Sequence, residues 1–128
     1  MKPGEPLELR VTPDPYVTIR YAGASGDFNP IHVDDAFARE VGLPGAILHG
    51  LWTMAQVARA VEDAAGGPDK LRSLSVQFRG PGAIGVEIVV SGAVTDDGAG
   101  PGELIAKLEA SQAGKKIIKN AVAVIDAG

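Results

Sequence analysis

One long helix followed by several short strands is the pattern that most constrains how this chain folds. From Gly50 to about Ala65, apolar side chains recur at helical spacing, namely Leu51, Met54, Ala55, Ala58 and Val61. Gly66-Gly67-Pro68 then ends the helix. Because many of its side chains are alanines, we expect this helix to pack closely against a sheet: Ala55, Ala58, Ala60, Ala64 and Ala65.

Four strand-like segments follow the helix. In the first, apolar Leu74, Val76 and Phe78 alternate with polar residues, and the others are predicted at residues 86–94, 104–111 and 116–125. Turn-rich sequence separates the last three, and Ala113-Gly114 is short enough for a tight hairpin. The expected arrangement is an antiparallel meander.

The segment before the helix is more irregular. Residues 7–11 fit a first strand, and Thr12-Pro13-Asp14-Pro15 has the composition of a helix start with Thr12 as its cap. For residues 16–22 the β-branched side chains favour a strand, but Val17, Tyr21 and Ala24 could share a helix face, and we predict a helix. A loop is predicted over 23–34, followed by a short helix over 35–41 capped by Asp34. This order of elements predicts an α+β fold, with residues 1–128 forming one domain in which a curved antiparallel sheet packs on one main helix.

Composition excludes several functions. Of 128 residues, 16 are acidic and 12 basic, and this net charge of −4 argues against a nucleic-acid binder that relies on bulk charge. No apolar run approaches the length of a membrane span, and the first residues have no signal-peptide pattern, so we expect a cytoplasmic protein. Without cysteine, the fold uses no disulfide.

The heptad Gly26-Asp27-Phe28-Asn29-Pro30-Ile31-His32 concentrates polar side chains in the predicted loop. An irregular loop can turn Asp27, Asn29 and His32 to one side, where a carboxylate, an amide and an imidazole can hold a water molecule and move its proton. The competing interpretation is structural, because Asp27 can simply bond to backbone N–H groups in an Asx turn.

His49-Gly50 lies at the predicted start of the long helix. The first N–H groups of a helix have no internal partner, and Gly50 would let a substrate carbonyl approach its N–H, as in an oxyanion hole. Alternatively, Gly50 only permits close packing of the helix on the sheet.

Other chemistries have weaker support. His32 and His49 are 17 positions apart, which is not a compact zinc-ligand spacing, so we expect no metal site. No serine has a nucleophile-elbow context, and the glycine-rich residues 80–85 lack the Lys-Ser/Thr of a phosphate loop.

The chain resembles a known family at three places in the right order: Tyr21 to Asp34, Ala46 to Met54, and Val76 to Pro81. These segments are similar to the signature, the start of the central helix and the following strand of the MaoC-like, or hydratase 2, family. The resemblance implies a single hot-dog fold, in which the curved sheet wraps the central helix and an inserted segment of loops and short helices carries the active site.

The resemblance also implies an activity, namely (R)-specific hydration of trans-2-enoyl thioesters, or dehydration of (3R)-hydroxyacyl thioesters, in fatty-acid metabolism. The substrate would be an acyl-CoA or acyl-ACP, and no cofactor would be needed. By position, Asp27 and His32 would form the acid/base pair, Asn29 would help to hold the water, and the Gly50 N–H would polarise the thioester carbonyl. His49, Trp52 and Arg79 are the expected substrate-binding residues, with core packing as the alternative for Trp52 and a solvated basic face as the alternative for Arg79.

Relatives of this kind imply a homodimer with two central helices side by side, although some pair with a non-catalytic chain. A serine that certain family hydratases carry on the central helix corresponds to Ala58 here. The main rival is a hot-dog thioesterase, whose carboxylate on the central helix would have to be Glu62 or Asp63.

Overall fold

A computed structural model describes all residues from Met1 to Gly128. The bounds of its helices and strands are, in chain order, β1 Pro6–Val11, α1 Val17–Ser25, α2 Pro30–Val33, α3 Asp35–Glu40, α4 Gly50–Ala65, β2 Leu71–Phe78, β3 Ile88–Thr95, β4 Glu103–Gln112 and β5 Lys115–Asp126. A single 3₁₀ turn, Pro68–Lys70, joins α4 to β2. The predicted α+β class and the bounds of the long helix are confirmed.

All five strands form one antiparallel sheet in the order β1-β3-β4-β5-β2. The meander is confirmed for β3, β4 and β5, and Ala113 (φ 49°) and Gly114 (φ 78°) form the tight hairpin between the last two. The prediction is wrong for β2, which pairs with β5 at the edge rather than with β3. The connection over residues 79–87 is longer than a hairpin loop, so it can cross the end of the sheet.

Strand β2 is fastened to β5 by an ion pair as well as by the ladder. The Arg72 Nη2 donates to Asp126 Oδ2 at 2.8 Å, and this bond holds the pKa of the Asp126 carboxyl below its usual range. The outer side of β2 pairs with no strand, so its backbone N–H and C=O groups form a free sheet edge.

The core lies between the sheet and one face of α4. Fully buried apolar side chains come from alternate positions of the strands and from the helix, including Ile88, Val90, Ile125, Val57 and Val61. Of the side chains predicted to contact the sheet, Ala60 and Val61 are buried and Met54, Ala58 and Ala65 are half-buried, so the predicted face is only partly correct. Leu51 is 64% exposed and Ala55 is also exposed. The helix carries two apolar faces, and spacing alone does not show which of them meets the sheet.

The segment from residue 12 to residue 49 is more helical than predicted. Helix α1 begins at Val17 rather than at Pro13, because the Asp14 side chain accepts a bond from the Tyr16 N–H (2.8 Å) and pairs with Arg20, which lowers the pKa of Asp14. Gly26 ends α1 in the left-handed conformation, at φ 79°. The predicted loop is therefore only residues 26–29, and His32 lies in the one-turn helix α2.

The cap of the next helix is confirmed, since Asp34 Oδ1 accepts from the Phe37 N–H at 3.1 Å at the start of α3. None of the helices combines the length and the apolar character that crossing a membrane requires.

Candidate active site

The loop over residues 26–29 forms two consecutive Asx turns. The Asp27 Oδ1 accepts from the Asn29 N–H, and the Asn29 Oδ1 accepts from the Ile31 N–H and thereby caps α2, both at 3.2 Å. The structural interpretation of this sequence is thus realised. It leaves the second carboxylate oxygen of Asp27, Oδ2, free for chemistry, and the Asp27 side chain is 52% exposed.

The His32 ring is held in one orientation by the backbone. Its Nδ1 lies 2.8 Å from the Ile47 carbonyl oxygen, which can only accept, so Nδ1 carries the hydrogen. In the neutral ring Nε2 is then an acceptor, and it lies 3.9 Å from Asp27 Oδ2. That separation is too long for a direct hydrogen bond and suits two groups that share one water molecule.

Asn29 is exposed, and its side-chain oxygen is committed to the cap of α2. Only its amide N–H₂ group remains to contact a water molecule. The water-holding role inferred from the sequence therefore stays a prediction, and it narrows to the Nδ2 atom.

Gly50 is the first residue of α4, and its N–H has no acceptor within the chain. A Cβ built on Gly50 would lie 3.3 Å from the nearest ring carbon of Phe78, at the end of β2. The neighbour of Gly50 is therefore an aromatic edge rather than sheet backbone. The site contains an unpaired donor at the positive end of a sixteen-residue helix, as an oxyanion stabiliser requires.

His49 joins this helix start to the acidic loop. Its Nε2 donates to the Asp27 carbonyl oxygen at 2.9 Å, and its ring stacks on that of His32 with centroids 3.9 Å apart and planes 19° apart. The ring of Tyr21 also contacts His49 in a tilted arrangement, with the two ring centroids 4.8 Å apart. Residues that are distant in sequence thus converge on one site.

The other two expected substrate-binding residues lie around this centre. Trp52 is half-buried and lines a groove of about 320 Å³ together with Tyr21 and Ala24 of α1. Arg79 directly follows Phe78 and forms no ion pair, while its N–H donates to Ile117 O at 2.8 Å. Their contact with a substrate stays a prediction.

Asp27, His32 and His49 each place one potential metal-ligand atom within 4.8 Å of the other two. The fold therefore brings together residues whose separation in the sequence argued against a metal site. Each ring, however, already donates one N–H to a backbone carbonyl, so each histidine has a single nitrogen left.

Two features that organise the site were missed from the sequence. The carbonyl of Ile47 leaves no sequence signal, because every residue has one. Gln112 had a signal: it is a polar residue at an inward position of β4, where Leu104, Ala106, Leu108 and Ala110 precede it. It is buried and bonds to the loop that borders Ile47.

The largest groove, of about 520 Å³, lies elsewhere. It opens on strands β3 to β5 and is lined by Lys107, Lys116 and Lys119, and it includes none of the predicted site residues.

Comparison with protein families gives a direct match. The family described as "MaoC like domain" matches residues 1–120. The chain belongs to the MaoC-like family. This confirms the resemblance carried by residues 21–34, 46–54 and 76–81, and with it the hot-dog fold.

Individual relatives agree with the family assignment. The fatty acid synthase beta subunit hexB of Dothistroma septosporum is 49% identical over 63 residues, which is 48% of this chain and 3% of that protein. A solved MaoC-like dehydratase is 29% identical with a TM-score of 0.90, over 100% of this chain and 41% of that one. The R-hydratase PhaJ1 from Pseudomonas aeruginosa shares the fold, with a TM-score of 0.87 at 24% identity over 99% and 82% of the two chains. This MaoC-like chain thus spans only a small part of the synthase subunit.

Proposed function

We propose that the protein catalyses (R)-specific hydration of trans-2-enoyl thioesters and the reverse dehydration of (3R)-hydroxyacyl thioesters. The observation that carries this proposal is the placement of Asp27 Oδ2 and His32 Nε2, 3.9 Å apart, beside the unpaired Gly50 N–H. The family supports the reaction class, since one of its solved members is named as a dehydratase.

The chemistry follows from these three groups. In hydration, one proton of the water passes to the base as the oxygen bonds to C3, and a proton is delivered to C2. The electrons of the double bond move onto the thioester oxygen in an enolate-like transition state, where the Gly50 N–H stabilises the developing charge. Because Asp27 and His32 would face the same side of the alkene, oxygen and proton should add to the same face. Asp27 and His32 exchange these protons between them, one acting as base and the other as acid.

The thioester would be carried by CoA or by an acyl carrier protein, both of which are anionic. Arg79 forms no ion pair and directly follows Phe78, whose ring lies beside Gly50, which supports a contact between Arg79 and a phosphate of either carrier. Trp52 would border the acyl chain, since its groove adjoins the Tyr21 ring that contacts His49.

The active form would be a homodimer. Leu51 (64% exposed) and Phe78 (51% exposed) flank Gly50, and β2 beside them is a free sheet edge. An apolar helix face next to an unpaired strand is suited to pairing with a second copy of itself. Residues 1–128 would act as one catalytic domain in this assembly.

The thioesterase alternative finds no suitable carboxylate. Glu62 is twelve residues, or about 18 Å, along α4 from Gly50. Asp63 is exposed and lies 3.9 Å from Arg59. Neither is near the acid/base pair.

The decisive experiment follows the enoyl absorbance of crotonyl-CoA and identifies the product by chiral analysis. The wild-type protein should give (3R)-hydroxybutyryl-CoA, whereas Asp27→Asn and His32→Ala should each lower kcat by about a hundredfold or more. Asp34→Asn is a control, since Asp34 only caps α3, and it should retain activity. Release of free CoA by the wild-type protein would support the thioesterase alternative. Undiminished hydration by both variants would mean that the assignment of Asp27 and His32 is wrong.

A further inference from the structure

We propose that His49 is a positioning residue that holds the Asp27–His32 pair in its reactive geometry without touching the substrate. This inference rests on the proposed function and departs from the sequence-based expectation that His49 binds substrate. It starts from a reciprocal arrangement of two histidines and two backbone carbonyls.

Each of the two facing segments donates a ring N–H to a carbonyl of the other. His32, which follows the acidic loop, donates to Ile47 O (2.8 Å), and His49, which follows Ile47, donates to Asp27 O (2.9 Å). A backbone bond from Ile47 N to Ile31 O (2.9 Å) lies between them. With the two rings stacked at 3.9 Å, residues 27–32 and 47–49 are joined by three hydrogen bonds and one ring contact.

The bond to Asp27 O is the tie between the acidic loop and α4. The only other hydrogen bond of the Asp27 backbone is a 3.2 Å bond from its N–H to Ser25 Oγ, which is local. The preceding Gly26 is in the left-handed conformation and gives the loop little stiffness of its own. Without the His49 donor, no hydrogen bond would join the Asp27 main chain to the residues at the start of α4.

The burial of His49 separates positioning from substrate binding. The residue is 2% exposed, so it offers no face to a substrate, and its Nδ1 is buried without any hydrogen-bond partner. A buried nitrogen without a partner is destabilising, and a merely space-filling phenyl ring would avoid that cost. The imidazole is therefore explained by its Nε2–H and its stacking, both of which act on the catalytic pair.

Two substitutions at this position separate these contributions. His49→Phe keeps an aromatic ring for stacking and removes the donor, whereas His49→Gln places an amide N–H₂ where the Nε2–H stands. Val57→Ala is the control for stability, because Val57 is fully buried on α4 and lies eight residues, or about 12 Å along the helix, beyond His49.

Steady-state kinetics on crotonyl-CoA provide the first readout. His49→Phe should lower kcat roughly tenfold to a hundredfold with KM nearly unchanged, and His49→Gln should recover most of the loss. Val57→Ala should lower the melting temperature and keep kcat. A rise in KM at constant kcat in His49→Phe, or wild-type kcat in that variant, would overturn the proposal.

A second readout does not depend on turnover. Amide hydrogen exchange of Asn29, whose N–H bonds to Asp27 Oδ1, should accelerate in His49→Phe and not in Val57→Ala. If the wild-type protein does not hydrate enoyl thioesters but Asn29 still responds in this way, the proposed function fails and the positioning role stands. Unchanged exchange at Asn29 would refute the positioning role whatever the activity.

Discussion

The His32 ring can act on a water molecule only through Nε2, because its Nδ1–H is bonded to the Ile47 carbonyl. The same division of labour applies to Asp27, whose Oδ1 closes a turn while Oδ2 faces the imidazole. Each reactive residue therefore uses one polar atom for structure and one for chemistry. Its replacement affects both, and conservative variants are needed to tell the two effects apart.

Gly50 allows a test of this kind. Gly50→Ala should lower kcat/KM by about tenfold to a hundredfold, because the added methyl group crowds the approach of a thioester oxygen to the Gly50 N–H. The methyl would meet only the Phe78 ring, at 3.3 Å, so the melting temperature measured by calorimetry should change little. Gly23→Ala on α1 is the matched control, since a Cβ there meets nothing within 4 Å. Full activity with a lowered melting temperature would instead favour the packing role.

The sequence allowed the acid/base candidates to be named, but it did not reveal the groups that surround them. Asp27 and His32 could be nominated from the sequence because few side chains carry out proton transfer near neutrality. The partners that orient them could not, since Ile47 and Asp27 contribute backbone carbonyls, which any residue provides. The capping role of Asn29 depends on α2, a helix too short to leave a periodic pattern.

At the scale of elements, the loop between β2 and β3 is fastened to the sheet by one side chain. The Gln112 Oε1 accepts from the Ala83 N–H (2.7 Å), and its Nε2 donates to Ala83 O (2.8 Å) and Val86 O (2.9 Å). The same loop pairs with the residues just before α4. Ala83 forms a β-bridge with Ile47, and the Leu48 N–H donates to Gly82 O at 2.9 Å. Gln112 thus supports Ile47, whose carbonyl orients His32, indirectly through this loop.

Gln112→Leu should therefore lower the free energy of unfolding by roughly 2–4 kcal/mol, because it leaves three backbone groups of the loop without a partner. Chemical denaturation measures this change. Gln77→Leu is the comparison, since Gln77 is exposed and shares a single side-chain bond with Asn120, and it should have a small effect. Equal stability of the two variants would show that the loop holds its place without Gln112.

The elements differed in how well the sequence predicted them. Helix α4 was predicted with its bounds, because its start at Gly50 and its end at Gly66 both have clear local signals. The position of β2 was not, since strand order depends on where a nine-residue connection travels, which is a tertiary matter. The prediction of which face of α4 is buried was only partly correct for a similar reason, because the helix has an apolar face on each of two sides.

For the whole molecule, the exposed apolar surface is the feature that a single chain does not explain. Leu51 and Phe78 lie beside the Gly50 N–H, the proposed oxyanion stabiliser, and next to the free edge of β2. A homodimer that covers this surface would also exclude water from the mouth of the site, which strengthens the electrostatic stabilisation of an enolate.

Leu51→Asp should raise the dimer dissociation constant by about tenfold or more, because it places a charge in the centre of the apolar contact. Sedimentation equilibrium gives this constant directly. Ile19→Asp is the control, since Ile19 is likewise exposed (56%) but lies on α1. A wild-type protein that stays monomeric and gains activity only with a second, different chain would replace the homodimer with a heterodimer.

The side chains of the candidate site and the core occupy different parts of the chain. Asp27, Asn29, His32 and His49 all lie between β1 and α4, a region that contributes only Val17 and Leu48 to the cluster of buried apolar residues. Substitutions that alter the chemistry therefore leave most of the packing untouched, and substitutions that alter stability leave the chemistry in place. Exchange of this one contiguous stretch, residues 27–49, is therefore expected to change the site while the sheet and its helix keep most of their core contacts.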